Sequence, residues 1–408
     1  PFLYQKFIFP NEKINQIFSK VDVFEISKEV AYKILQKIAL QFELKYNLFI
    51  SYEAIIEAIE KSSFYVTDIP FPEKAIDLLD LSCVLAKEKG ELIITPDLIN
   101  QTLSQKTHIP TSFTDKIKEK LINLESYLKK EIIDQDEAVK KLAIAIKRAF
   151  VLQGKRNKPL STFLFLGPTG VGKTQTAKIL CQYFFGSEKY LIRFDMSEYQ
   201  LKEDICKLIG QPDAGQPGLL SKTIRENPYA VLLLDELEKA TPDLLNIFLT
   251  ILDEGYFADG TGKKVDCKNL IVIATSNAGS NLLYQINHSI DSDNLIDILI
   301  KNKLFTPEFL NRFDGIILFN SLSNNSLFII GQKIITQMKK DIYSLYKINF
   351  SVNDDYLKKL INENVNPRFG ARDLERIIKE NIENKIINLI LENKVSAGEN
   401  IFIGPNKI

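Results

Sequence analysis

One stretch near the middle of the chain constrains it more than any other. The apolar run Thr162-Phe163-Leu164-Phe165-Leu166 leads directly into Gly167-Pro168-Thr169-Gly170-Val171-Gly172-Lys173-Thr174, and Ala177-Lys178-Ile179-Leu180 follows at helical spacing. This is G-x-x-x-x-G-K-T in a strand–loop–helix setting, the setting that a phosphate-binding loop requires. The glycines let the backbone curl so that successive N–H groups face phosphate oxygens. The N-terminus of the following helix adds its partial positive charge. In such a loop Lys173 reaches the β- and γ-phosphates of a nucleotide, and Thr174 offers its hydroxyl to Mg²⁺.

The surrounding pattern is α/β. Further buried-strand runs occur at Tyr190–Phe194, Ala230–Leu234 and Leu270–Thr275, with helical patterns between them. Short apolar strands alternating with helices predict a parallel sheet with helices on both faces. Two of these strands deliver polar groups at their ends. Val231-Leu232-Leu233-Leu234 ends in Asp235-Glu236, where Asp235 is expected to hold Mg²⁺ through water and Glu236 to polarise the attacking water. Glu238 and Lys239, one turn on, read as an exposed or local ion pair of little energetic weight. The run Ile271-Val272-Ile273-Ala274-Thr275-Ser276 ends in Asn277. An Asn at a strand end is by itself an ordinary turn former. Its place in order, after the phosphate loop and the carboxylate pair, suits a sensor of the γ-phosphate.

The flanks differ in texture. Residues 1–106 are mostly helical. Val30, Ile34, Leu35, Ile38 and Phe42 recur at helical spacing over 28–45, and helices are predicted over 52–66 and 73–88, with Pro70 and Pro72 as breakers and a further start at Thr95-Pro96-Asp97. A polar stretch at 107–120 marks a boundary, and helices follow at about 115–129 and 135–152. Beyond about Phe319 the pattern is helical again, with alternating strands at Ile348–Val352 and Asn400–Ile403. The expected division is a helical unit over 1–110, a linker helix over 111–131, the parallel-sheet domain over 132–320 and a small α+β lid over 321–408.

Charge and composition exclude several classes. Lys plus Arg equals Asp plus Glu, 52 each, so no bulk basic field attracts nucleic acid or an anionic membrane. Cys83, Cys181, Cys206 and Cys267 match no zinc or redox spacing and read as idle thiols in a reducing compartment. His108 and His288 are the only histidines and stand far from any cysteine, so no structural metal site is expected. No apolar run approaches the ~18 residues of a membrane helix. Pro1-Phe2-Leu3-Tyr4 lacks the basic start of a signal peptide, and a cytoplasmic protein is expected.

The motifs together resemble the second ATPase ring of the Clp-type AAA+ unfoldases. The resemblance is carried by Arg193-Phe194-Asp195-Met196-Ser197-Glu198-Tyr199, Leu234-Asp235-Glu236-Leu237-Glu238-Lys239-Ala240, Thr275-Ser276-Asn277-Ala278-Gly279, Thr306-Pro307-Glu308-Phe309-Leu310-Asn311-Arg312-Phe313-Asp314 and Phe369-Gly370-Ala371-Arg372. It implies ATP and Mg²⁺ as the bound groups. It also implies an arginine finger at Arg312 that enters the neighbouring subunit's site, a second sensor at Arg372, and an adenine contact at Ile132 and Ile133. A finger acting between subunits makes activity depend on a ring, in this family a homo-hexamer, working on polypeptide clients. Residues 20–106 resemble the small helical domain of the family's first ring, on the cue Phe71-Pro72-Glu73-Lys74-Ala75-Ile76-Asp77-Leu78-Leu79-Asp80.

Departures from the family pattern qualify the function. The first-ring finger is replaced by Gln16-Ile17 before Phe18, no first phosphate loop is present, and no long coiled-coil insertion interrupts 80–95. The substrate-gripping loop corresponds to Ile209-Gly210-Gln211-Pro212-Asp213-Ala214-Gly215-Gln216-Pro217-Gly218, which is shortened and has no aromatic residue to grip a peptide. Tyr256-Phe257, in a Gly-rich hairpin, reads either as a secondary substrate contact or as hairpin packing. Residues 280–303 contain no apolar-Gly-apolar tripeptide, so no docking to a barrel protease is expected through them. Asp134 stands where the family usually has Gly. The reading is an ATP-hydrolysing, ring-forming protein remodeller. The alternatives are a nucleotide-switched assembly scaffold without threading, and a nucleic-acid motor that the neutral charge opposes.

Overall fold

The computed structural model describes residues 17, 21, 23–66, 69–107, 115–151, 158–201, 203–211, 216–279, 292–302, 304–366, 369–392, 394–396 and 398–404. Gln16, Phe18, His108, His288, the loop tip Pro212–Gly215 and residues 280–291 of the segment considered for protease docking lie outside them.

Among the described residues the N-terminal unit packs the helices α1 (Lys28–Tyr46), α2 (Tyr52–Tyr65), α3 (Glu73–Lys89) and α4 (Pro96–Thr107). Ser27 and Ser51 cap α1 and α2 by accepting the amides of Val30 and Ala54, which satisfies donors that a helix start leaves open. The chain leaves α1 at Asn47 and α3 at Gly90, both left-handed. Leu35, Leu78, Leu79, Leu98, Ile99 and Leu103 form the core. The buried stripe of α1 runs through Ala31, Leu35 and Ala39, whereas Val30 is exposed. The apolar face is thus rotated by one position from the spacing read in the sequence. Phe49–Ile50 and Ile93–Ile94 pair in parallel across the unit.

Tyr229 also belongs to this core. Its ring stacks on Tyr65 at 5.8 Å, and its hydroxyl donates to the Tyr65 carbonyl at 3.1 Å. Burial pushes the Tyr229 phenol well above its ordinary value. Tyr229 stands just before a sheet strand, so that strand is anchored on the helical unit at its N-terminal end. The next helix, α5 (Asp115–Glu131), buries Ile117, Leu121, Leu124 and Leu128 in the core of the sheet domain. Lys120 donates to the Tyr183 carbonyl at 3.0 Å, and the Tyr183 hydroxyl donates back to the Lys120 carbonyl at 2.7 Å.

The sheet has five parallel strands: β1 (Ser161–Leu166), β2 (Leu191–Asp195), β3 (Val231–Asp235), β4 (Ile271–Ser276) and β5 (Gly315–Leu318), in the order β5-β1-β4-β3-β2. Every residue of β1, β3 and β4 is buried, as a sheet covered on both faces requires. Side chains alternate between the faces. Phe163, Phe165, Leu233 and Ile273 enter one cluster, and Leu164, Leu166, Leu234 and Ala274 enter the other. Helices α6 (Asp136–Val151) and α7 (Lys173–Phe185) pack with the first cluster, and α8 (Pro242–Glu254) with the second. The four strands expected from the sequence are present to within one residue. β5 was not foreseen: it has four residues, starts with glycine and lies at the sheet edge.

The C-terminal unit contains α9 (Asn324–Tyr346), α10 (Asp354–Asn364) and α11 (Gly370–Ile378), with Asn349–Val352 and Asn400–Ile403 paired in parallel. Leu374, Ile377 and Ile378 join the same cluster as Phe163 and Phe165. Among the described residues no helix is long and apolar enough to cross a membrane.

Candidate active site

Because all five strands run the same way, the ends of β1, β3 and β4 open on one place. There residues 169–174 of the phosphate loop, Asp235-Glu236 and Asn277 line a cavity of about 550 Å³, with Gly167 and Pro168 just outside its lining. Lys173, Thr174 and Arg372 also line it, so the structure brings together every polar site residue expected from the sequence except Arg312. Lys173 is buried, and its Nζ donates to the carbonyls of Gly167 and Pro168, each at 2.6 Å, and to Asn277 Oδ1 at 2.9 Å. Burial pulls its ammonium down to about 8, while the carboxylates of Glu238, Asp235 and Glu236 resist that fall. It therefore stays largely charged at neutral pH.

Asp235 is the hub of the carboxylate pair. Its Oδ2 accepts from Arg193 Nη2 at 2.7 Å and from Thr174 Oγ1 at 3.4 Å, and its Oδ1 accepts from the Thr275 hydroxyl. The Thr275 oxygen in turn accepts the Glu236 amide at 3.2 Å. The Thr174 hydroxyl and the Asp235 carboxylate put two hard oxygen donors on one rim of the cavity, a donor set that fits Mg²⁺. Glu236 has φ +56°, a left-handed conformation, at the turn out of β3. Such backbone strain costs about 1–3 kcal/mol and clusters at functional sites. Its carboxylate pairs with Lys239 at 2.5 Å. This corrects the local pair read from the sequence, because Lys239 engages Glu236, while Glu238 lies part-buried and accepts the Asn277 amide at 3.1 Å.

The lid reaches the phosphate loop directly. The Ala371 amide donates to the Gly170 carbonyl at 2.9 Å, which places the adjacent Arg372 on the cavity. The approach is too close for a side chain: a Cβ on Gly170 would sit 2.1 Å from the Phe369 carbonyl oxygen. The loop glycine is thus needed for lid contact as well as for its φ of +76°.

The apolar end of the cavity is built by Ile132, Ile133 and Ile179, with Leu322, Ile330 and Ile334 from the lid side. Asp134 explains how the loop carrying Ile132 and Ile133 is held. It adopts φ +60°, a conformation that glycine takes freely and most residues resist. Its Oδ2 accepts from the Ser323 amide at 3.3 Å, the Ser323 hydroxyl at 3.2 Å and the Ser326 hydroxyl at 2.5 Å, at the N-terminus of α9. Next to it, Gln135 and the Asn320 backbone exchange two hydrogen bonds, at 2.8 and 2.9 Å. The aspartate therefore offsets its strain by tying the loop to the lid. Asp134→Ala keeps the left-handed strain, about 1–2 kcal/mol for an L-residue, and loses the bonds, whereas Asp134→Gly loses only the bonds. Alanine is expected to lower the thermal unfolding midpoint more than glycine; equal midpoints would show that the strain is not felt.

Arg312 lies elsewhere. Its carbonyl accepts from the Thr162 hydroxyl at the start of β1, about 16 Å along the strand from Gly167 at ~3.3 Å per residue. Its guanidinium pairs with Asp253 at 2.5 Å and Glu308 at 3.2 Å, and those bonds, Asp253 first, raise its pKa. With Lys158, Tyr256, Lys264 and Lys268 it lines a separate cavity of about 540 Å³.

The base of the expected substrate loop is tightly packed. The Gly260 amide donates to the Ile209 carbonyl at 2.7 Å, which docks the hairpin Tyr256–Asp266 on the loop base. Asp259 fixes the hairpin turn. Burial alone would raise its pKa, but bonds from Thr261, Arg225 and the Lys263 amide bring it below its ordinary value. Phe257 is core, so packing accounts for it, whereas Tyr256, with Lys264 3.6 Å over its ring, is half-buried and lines the second cavity. A Cβ at Gly260 would stand 2.2 Å from Gly210 backbone atoms. Gly260→Ala must therefore part the hairpin from the loop base, at a cost of about 1–3 kcal/mol. A lowered unfolding midpoint with ATP binding intact is expected, and an unchanged midpoint would contradict the packing.

Sequence reasoning missed Arg193, Thr275 and Glu238 as site members. Arg193 had one available signal, an arginine amid apolar strand residues one strand away from Asp235.

Comparison with known proteins agrees with this geometry. A family profile described as AAA domain (Cdc48 subfamily) matches residues 158–316, one for the C-terminal D2-small domain of ClpB matches 322–403, and an AAA lid domain profile matches 27–143. A solved structure described as the closed state of Hsp104 with ATPγS and FITC casein superposes with TM-score 0.85 at 30% identity, covering 98% of this chain and 70% of that one. The chain belongs to the Clp family of AAA+ ATPases. Similar Clp-family proteins include the ATP-dependent Clp protease ATP-binding subunit ClpE of Lactococcus lactis subsp. lactis (strain IL1403), 36% identical over 91% of this chain. Another is the chaperone protein ClpB of Agrobacterium fabrum (strain C58 / ATCC 33970), 36% identical over 76% of this chain. The chain spans 58% and 36% of the lengths of these two Clp-family relatives.

Proposed function

We propose that the chain is an ATP-hydrolysing, ring-forming protein remodeller of the Clp type, cytoplasmic, working as a homo-hexamer on polypeptide clients. One observation carries the reading: Lys173, Thr174, Asp235, Glu236, Asn277 and Arg372 share one cavity, while Arg312 stands at the other end of β1. The first set binds and hydrolyses a nucleotide, and the last serves a neighbouring copy. The phosphate-loop residues Gly167, Thr169, Gly170, Val171 and Gly172 supply amides to the phosphates, Pro168, which has no N–H, shapes the loop between them, and Ile132 and Ile133 form the adenine contact. Glu236 takes the proton of the attacking water. Asn277 orients that water against the γ-phosphate, and Arg372 neutralises phosphate charge from the lid. Thr174 and Asp235 would hold Mg²⁺, which when bound offsets the charge of the β- and γ-phosphates.

The division into a first-ring small domain over 1–110, a linker helix over 111–131, the large ATPase domain over 132–320 and the lid over 321–408 belongs to the same proposal. The client class is supported by the casein named with the Hsp104 structures. The comparisons lend no support to an assembly scaffold without threading. The test is steady-state ATP hydrolysis against protein concentration, with a labelled unfolded polypeptide present. Turnover that rises cooperatively with concentration and drives movement of the polypeptide is expected. Turnover without movement would remove the remodelling part and leave the ATPase.

A further inference from the structure

Glu238 stands beside the nucleotide site, bonded to Asn277, and the hydrolytic reading gives it no task. It lies on the single turn Leu237–Lys239 that follows β3. Its Oε1 accepts the Asn277 amide at 3.1 Å. Its Oε2 is buried and makes no hydrogen bond. A carboxylate oxygen removed from water without a partner is unfavourable unless a cation compensates it. The buried ammonium of Lys173 is that cation. Among the carboxylates acting on it, Glu238 does most to keep it charged.

Asn277 completes the chain of contacts. It stands one residue past the end of β4, where the strand ladder stops at Ser276 paired with Leu166. Its amide is directed to Glu238 rather than to a neighbouring strand. On its other side, its Oδ1 accepts from Lys173 Nζ at 2.9 Å. Glu238, Asn277 and Lys173 thus connect the ends of β3 and β4 to the phosphate loop.

We propose that Glu238 is a positioning residue for ATP hydrolysis, fixing the Asn277 backbone and thereby holding the γ-phosphate sensor in register with the phosphate-binding lysine. The proposal rests on the hydrolytic reading of this site. Glu238 acts on a backbone N–H, so the acceptor oxygen carries the effect. Glutamine keeps that oxygen and alanine removes it. The loss should fall on kcat, because the phosphate loop and its lysine remain to bind nucleotide.

The experiment compares full-length Glu238→Ala, Glu238→Gln, Asn277→Ala and the Glu238→Ala/Asn277→Ala double variant for kcat and ATP affinity. Glu238→Ala is expected to lower kcat by about tenfold or more with ATP affinity within about threefold, and Glu238→Gln to recover kcat to within about threefold of wild type. In the Asn277→Ala background the alanine at 238 should add less than about twofold, since both changes break one unit. A Glu238→Ala kcat within about twofold of wild type, a Glu238→Gln loss equal to that of alanine, or full additivity in the double variant overturns the proposal. A crystal structure of Glu238→Ala gives a readout that needs no turnover. Asn277 displaced from Lys173 supports the proposal, and Asn277 unmoved overturns it. Wild-type protein that hydrolyses no ATP removes the hydrolytic reading instead, and the crystal structure then still decides whether Glu238 holds Asn277.

Discussion

An Arg312→Ala chain is expected to bind ATP as tightly as wild type and to hydrolyse it about 10³–10⁵-fold more slowly, the range seen when an arginine finger is removed. Arg312 cannot serve the cavity of its own chain. Its backbone is bonded to Thr162 at the start of β1, and Gly167 lies at the far end of that strand. Its side chain faces a different cavity, where Asp253 and Glu308 hold it. A guanidinium held by two carboxylates is oriented before a partner arrives, which lowers the entropy lost on docking. On the proposed reading, removing it takes away charge that would meet the γ-phosphate of the next subunit and leaves the chain's own site intact. The check is ATP affinity by fluorescence titration beside steady-state turnover. Unchanged turnover would show that Arg312 forms only the surface ion pairs seen in a single chain.

Glu236→Gln carries the second large effect, a fall in turnover of about 10²–10⁴-fold with ATP retained. The amide preserves the size and shape of the side chain but cannot accept a proton from water. The carboxylate that is lost sits on a backbone turned to φ +56°, beside Thr275, whose oxygen accepts the Glu236 amide at 3.2 Å. The substitution leaves that backbone arrangement in place, so binding through Lys173 and the phosphate loop persists. A single-turnover measurement with bound ATP checks it directly. A glutamine variant within about tenfold of wild type would mean that another group takes the proton.

The sheet and most of the site were legible in the sequence for a definite reason. Fully buried parallel strands are continuous apolar runs, and β1, β3 and β4 each end in a group with recognisable chemistry: the phosphate loop, Asp235-Glu236 and Asn277. Local spacing encodes all of this. β5 escaped because Gly315–Leu318 is four residues long and only Ile317 is fully buried. The face of α1 was misplaced by one position because two small residues, Ala31 and Ala39, flank Leu35 in its buried stripe.

Contacts that depend on tertiary register were not legible. Arg193 meets Asp235 only because β2 lies beside β3 with Asp195 opposite Asp235. Asp134 meets Ser323 and Ser326 across 189 and 192 residues of chain. Glu238 and Lys239 are adjacent in sequence, yet the single turn after β3 sends one toward Asn277 and the other toward Glu236. No spacing rule separates two such neighbours, because the left-handed residue that starts the turn is itself a glutamate.

The central claim is that each active site joins two copies of the chain, and mixing two inactive variants tests it most directly. Glu236→Gln subunits keep the finger and lose the base, whereas Arg312→Ala subunits keep the base and lose the finger. In a ring with one repeated head-to-tail interface, a 1:1 mixture restores a complete site at about a quarter of the interfaces. The expected result is ATP turnover in the mixture well above that of either variant alone, approaching that fraction of wild type. A mixture as inactive as its two parents, with subunit exchange confirmed, would contradict a site shared between subunits.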